Sequence, residues 1–213
     1  MLSELAFTLF DTFYFKGKIM LTARPGIACL IETVNLKECK KFGEETMRTI
    51  LFSGGVYCSY FPEGIKDKLP EHILKVMKPY ELDILGLMQN GFIIQVIKDF
   101  TTGISDEDMQ AMLLHEYGHV HYGHTLPENI AKKKTQNGIM DDVQSEIEAD
   151  AYAASIIGKR RMAIALTHMV ENVAKFFATK NNNQALDKDV YTEILTSMLI
   201  SENTRKRFLA LSE

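Results

Sequence analysis

Residues 105–124, SDEDMQAMLLHEYGHVHYGH, carry the decisive pattern of this chain. Ser105 stands ahead of Asp106, Glu107 and Asp108, so a side-chain cap and negative charge meet the positive end of a helix. Met109, Met112, Leu113 and Val120 recur at helical spacing as an apolar stripe, and Gly123 suits the stop. On that helix His115 and His119 lie one turn apart and share a face. Two imidazoles so placed can bind one zinc ion. Glu116, beside the first, can take a proton from water at the metal. Two ligands leave a catalytic zinc under-coordinated, so a third protein ligand is required, with water in the fourth position.

A second helix offers that ligand. It is expected from about Asp142 to Ile157, with Gly158 ending it. Its segment EIEAD, residues 146–150, places Glu146, Ala149, Asp150 and Ala153 on one side. Small residues there let two helices approach closely, which a shared metal demands. Glu146 becomes the third ligand. Asp150, one turn on, can accept the free ring N–H of a ligand histidine, fixing its tautomer. Glu148 points elsewhere and reads as a solvated face residue.

Working outward, further helices are expected over Arg160–Ala178 and from near Asp187 to about Ile200, with a break at Asn181–Asn183 and a short final turn over Arg205–Leu211. Residues 125–140 form a polar connection. The chain changes character near residue 100. Upstream, Lys18–Leu21 and Ile27–Val34 read as strands joined by a turn at Pro25-Gly26. Leu36–Arg48 reads as a helix, Val56–Phe61 as a strand, and Leu69–Met88 as a helix broken near Pro79. Asn90-Gly91 marks a turn ahead of a strand over Phe92–Lys98. The expected fold class is α+β: one domain over residues 1–213, with a small mixed sheet and helices in a β-rich part, 1–100, and a helical, zincin-like active-site half, 101–213.

Composition narrows the partners. With 24 Lys and Arg against 28 Asp and Glu, the net charge of -4 and the lack of a long basic stretch give no expectation of nucleic acid. The short run Lys132–Lys134 reads as a solvated loop. The three cysteines, Cys29, Cys39 and Cys58, are odd in number and show no C-x-x-C spacing, which points to a reducing compartment. The apolar start, MLSELAFTLFDTFYF, lacks a basic n-region and a small-residue cleavage site, so no signal peptide is expected. No uninterrupted apolar stretch is long enough for a membrane span. The expected location is cytoplasmic.

The remaining histidines are read as structural. A metzincin would need glycine at position 122 and histidine at position 125, where Tyr122 and Thr125 stand. His124 is placed at the helix end, where the dipole favours a cation. His168 reads as a helix-face residue, and His72 has no partner motif.

The segment at 105–124 resembles the active helix of the gluzincin metallopeptidases related to CaaX prenyl proteases and the HtpX heat-shock protease. EIEADAYAASIIG, residues 146–158, resembles their E-x-x-A-D helix, and NTRKRFLAL, residues 203–211, their closing Arg-containing segment. ImmA/IrrE-like peptidases are a close second, sharing an H-E-x-G-H helix that ends in Gly-His and a later E-x-E-A motif. The resemblance covers roughly residues 98–210. It implies a zinc peptidase with one zinc per chain, ligands His115, His119 and Glu146, base Glu116, and Asp150 behind a ligand histidine, His115 by the family pattern. One departure stands out: where the prenyl-protease-like group often carries His-Pro ahead of the Arg matching Arg207, this chain has Ser201 and Glu202. His168, Tyr122 or Tyr191 are the substitutes available for a role there.

The expected activity is hydrolysis of peptide bonds in a protein or peptide substrate. The strand Phe92–Lys98, just before the active helix, is a candidate for holding extended peptide, by chain order and family analogy. Two other classes compete: a regulatory peptidase that cuts a repressor partner, and a non-catalytic zinc-stabilised binding protein. An intact Glu116 speaks against the latter, since a structural site needs no base beside its metal.

Overall fold

The computed structural model describes residues 12–15, 18–24, 27–39, 53–79, 91–133, 142–180 and 186–212. The expected turn at Pro25-Gly26, residues 40–48 and 80–88 of the helices expected over 36–48 and 69–88, Asn90, the end of the polar connection and the break at Asn181–Asn183 lie outside the described residues; the described part of the second helix is helical chiefly over Glu71–Leu74.

Among the described residues five strands form one mixed sheet: β1 (Thr12–Phe15), β2 (Lys18–Arg24), β3 (Ile27–Val34), β4 (Val56–Phe61) and β5 (Gly91–Ile97). Their order is β1-β2-β3-β5-β4, with β3 and β5 parallel and the other pairs antiparallel. β3 and β4 keep the boundaries expected from β-rich composition, and β1 is an additional strand. The fold class is α+β, as expected. Among the described residues, β5 lies inside the sheet between β3 and β4, and β4 lies at its edge.

Among the described residues of the sheet region, short helices are α1 (Leu36–Cys39), α2 (Ile65–Lys68), α3 (Glu71–Leu74) and α4 (Lys98–Thr101). Then come α5 (Asp106–Tyr122), α6 (Pro127–Lys133), α7 (Val143–Ile157), α8 (Lys159–Lys180), α9 (Lys188–Ile200) and α10 (Glu202–Ser212). The final turn expected over Arg205–Leu211 is a full helix. Ser201 caps it, its Oγ accepting the Thr204 N–H at 3.3 Å. No described helix is long and apolar enough to cross a membrane.

α5 is the centre of the packing. One side, Met109, Met112, Leu113, Tyr117 and Val120, lies on the sheet face built by Cys29, Ile31, Val56, Phe92, Ile94 and Val96. The alternate residues of β5 point away, so period two decides what faces the helix. Another side, Ala111 and Leu114, packs against Ala153, Ala154, Met162, Ala165 and Leu166 of α7 and α8. A helix buried between a sheet and other helices has no solvated face. Its polar residues at 115, 116 and 119 are therefore buried and need partners.

Both ends of α5 are held as the sequence implies. Ser105 Oγ accepts the Asp108 N–H at 3.1 Å. Asp108 in turn accepts from Arg161 Nη2 at 2.6 Å and faces His168 Nδ1 at 2.9 Å, which ties the start of α5 to α8. At the other end Gly123 adopts φ 69°, a left-handed conformation that reverses the chain.

Candidate metal centre

α5 and α7 meet where both carry small residues. A Cβ built on Gly118 would lie 2.9 Å from the Ala149 Cα and 3.0 Å from its carbonyl oxygen. Gly118, inside the HEYGH segment, therefore sets how closely the two helices approach. The small residues of α7 were legible in the sequence; the matching glycine on α5 is revealed by the packing.

That approach brings the three expected ligands together. His115 Nε2 and His119 Nε2 are 3.2 Å apart, and Glu146 places Oε2 3.4 Å from the first and Oε1 3.3 Å from the second. Among the described residues these three form a group whose ligand atoms all lie within 4.8 Å of one another, so it can hold a metal ion. Both rings turn their Nε2 atoms inward because their Nδ1 atoms are engaged behind. His115 Nδ1 lies 2.8 Å from Asp150 Oδ1, as the spacing of Glu146 and Asp150 implied. His119 Nδ1 lies 3.0 Å from His124 Nδ1.

Arg207 of α10 completes the cluster. Its Nε donates to Asp150 Oδ2 at 2.7 Å and its Nη2 to Asp150 Oδ1 at 2.8 Å, a bidentate pair. Nη1 lies 3.1 Å from Glu146 Oε2. The sequence placed Arg207 in a family-like closing segment but not in the site. Its only signal was that tail.

Glu116 is buried beside this group and held from the sheet, its carboxylate accepting the backbone N–H of Cys58 on β4. Burial, reinforced by the charge on Glu146 and opposed by His115, the Cys58 N–H and Arg207, pushes its pKa up to about 8. Burial pulls the His115 imidazole down, but the hydrogen bonds and charges of Asp150 and Glu146 override it and raise its pKa to about 10. His119 is lowered, by burial first and by the charge on His115, against the pull of Glu146. Burial opposes ionisation of Glu146, yet contacts with both histidines and the charge of Arg207 hold it well below the usual carboxylate range. Asp150 is likewise lowered, because Arg207 and His115 outweigh its burial.

These groups fit a divalent cation. Two imidazole nitrogens and a carboxylate converge there, a donor set suited to a divalent metal ion. A cavity lined by Met112, Met162, Leu166 and Met169 adjoins His115, Glu116 and Arg207.

Other expectations change. Glu148 is no plain surface residue: its Oε2 lies 2.8 Å from His124 Nε2. His124 is buried behind His119 and does more than answer the helix dipole. β5 cannot hold extended peptide, because its two neighbours already pair with it. Among the named substitutes for the missing His-Pro, His168 sits at the start of α5 on Asp108, and Tyr122 stacks on His124 with centroids 5.4 Å apart. Tyr191 lies on α9.

The chain matches no protein-family model, no curated protein and no solved structure.

Proposed function

We propose that this protein is a zinc-dependent peptidase with His115, His119 and Glu146 as the ligands and Glu116 as the base. One observation carries this: two imidazole Nε2 atoms and a carboxylate converge between α5 and α7 with a buried, ionisable carboxylate next to them. The resemblance to gluzincin peptidases supports the same assignment.

A zinc ion held by His115, His119 and Glu146 would supply a Lewis acid able to activate water and polarise a carbonyl. Glu116 does the proton work: its carboxylate takes the proton of the attacking water and passes it to the departing amine. In the metal-free protein burial raises this carboxylate's affinity for a proton, as a group that takes and returns one requires. The Cys58 N–H keeps this carboxylate at the edge of the sheet. Arg207, fixed on Asp150 and Glu146, lines the cavity next to His115 and Glu116.

The extended substrate is assigned to β4, which among the described residues is the terminal strand of the sheet next to α5, rather than to β5. Peptides N-methylated on either side of the scissile bond should show a higher KM. An unchanged KM removes the pairing on β4.

Metal analysis of the purified protein, with cleavage of casein in the presence and absence of a chelator, tests the central assignment. About one zinc per chain and chelator-sensitive cleavage are expected. A metal-free protein that gains no activity or metal when zinc is added overturns it.

A further inference from the structure

His124 and Glu148 lie outside the ligand set, and neither contributes to the mechanism above. They nevertheless form one chain with His119. His119 Nδ1 is 3.0 Å from His124 Nδ1, and His124 Nε2 is 2.8 Å from Glu148 Oε2. The proton positions in this chain follow from its end. A carboxylate only accepts, so His124 carries its hydrogen on Nε2. Where His124 carries this hydrogen alone, it offers a lone pair at Nδ1. His119 must carry its own hydrogen on Nδ1, and its lone pair is left on Nε2, the atom that faces Glu146 and His115.

The surroundings hold this arrangement in place. Gly123, at φ 69°, turns the chain back so that the His124 N–H donates to the His119 carbonyl at 2.9 Å. A Cβ at Gly123 would meet Leu126 Cδ1 at 2.7 Å, so the turn has no room for another residue without a shift. The Tyr122 ring stacks on the His124 ring, 20° from parallel. Gln144 Nε2 donates to the second oxygen of Glu148 at 3.0 Å.

From this we infer that His124 and Glu148 are positioning residues for the ligand His119, the counterpart of Asp150 behind His115. The inference rests on the proposed metal centre. His124 orients the His119 ring and sets its tautomer, and Glu148 sets the tautomer of His124. Partners of this kind typically change metal affinity by about 10–100-fold when removed.

The test is zinc affinity, measured by competition with a chromophoric chelator, for His124→Ala, Glu148→Ala, Glu148→Gln and the double alanine variant. His124→Ala should bind about 10–100-fold more weakly. Glu148→Ala should lose less, and Glu148→Gln should recover most of that loss because the amide oxygen still accepts. The double variant should be no weaker than His124→Ala alone, since Glu148 acts through His124. In the zinc-loaded wild type, nitrogen-15 NMR should show the His119 hydrogen on Nδ1 coupled across to His124, a signature that a purely structural role does not create. Should His124→Ala not fold, the half-exposed Glu148 decides, through its alanine and glutamine variants. Wild-type affinity in Glu148→Ala and His124→Ala, or losses that multiply in the double variant, overturns the relay and leaves the metal centre standing. A wild type that binds no zinc overturns both.

Discussion

His115 and His119 differ most in what stands behind them. Behind His115 is Asp150, only 1% exposed and gripped by both arms of the Arg207 guanidinium. Behind His119 is a second imidazole, and behind that Glu148, whose side chain is 41% exposed. The first arm buries a full ion pair and links three helices, α5, α7 and α10. The second passes through an imidazole ring to a carboxylate that water also reaches. Burial raises the cost of leaving a charge unpaired. Hence the Asp150 arm is tied to the stability of the fold, whereas the Glu148 arm acts on the metal site with little weight in stability.

The largest effect should come from the group between the arms. Glu116→Gln keeps the shape but cannot accept a proton. Turnover should fall by about 10²–10⁴-fold with zinc content unchanged. Full turnover in that variant on a verified substrate would remove Glu116 as the base. Glu146→Ala, which touches both histidines, should instead lose zinc, and equilibrium dialysis separates the two outcomes.

The next effects compare the arms directly. Arg207→Ala leaves the Asp150 carboxylate buried without its main partner. Loss of one member of a buried pair costs about 3–5 kcal/mol, so urea unfolding of the metal-free protein should shift strongly. Gln144→Ala, at the outer end of the other arm, should leave the same curve in place. Equal shifts in the two variants would erase the contrast drawn between the arms.

Asp150 itself sharpens it. Asp150→Ala should weaken zinc binding by about 10–100-fold without abolishing it, and Asp150→Asn should do less harm, since its amide oxygen still accepts the His115 N–H. Affinities equal to wild type, with turnover unchanged, would remove Asp150 from the site.

Gly118→Ala probes the contact that both arms share. The added methyl meets backbone on α7, an overpacking cost of about 1–3 kcal/mol, against about 1 kcal/mol gained in helix propensity. A modest net destabilisation, together with weaker zinc binding, is expected in parallel urea and competition titrations. A stabilised variant with unchanged affinity would show that the helices are free to separate there.

The smallest effect lies outside both arms. Burial works against ionisation of Asp108, but hydrogen bonds from Arg161, His168 and Ser105 hold its pKa below the ordinary 3.8. A folded pKa below the unfolded one gives stability that is present above about 3.8 and lost as pH falls through the folded value. Asp108→Asn should therefore flatten the acid limb of the stability curve. An unchanged limb would assign acid unfolding to other carboxylates.

The sequence by itself determined the parts that depend on near neighbours. Ser105 and Gly123 bound α5, Gly158 ends α7, and β3 and β4 run where β-rich composition put them. The four-residue step from His115 to His119, and again from Glu146 to Asp150, settles which side chains share a helical face, because 3.6 residues make a turn. The tertiary structure decided which faces meet. Strand order placed β5 inside the sheet and β4 at its edge, although β5 is the strand nearest to α5 in the chain. His124 found Glu148 across 24 positions, and Arg207 found Asp150 across 57. No periodicity spans such distances. These contacts depend on how α7 and α10 cross α5, and that crossing is set by the volumes packed between the helices, above all the missing side chain at Gly118.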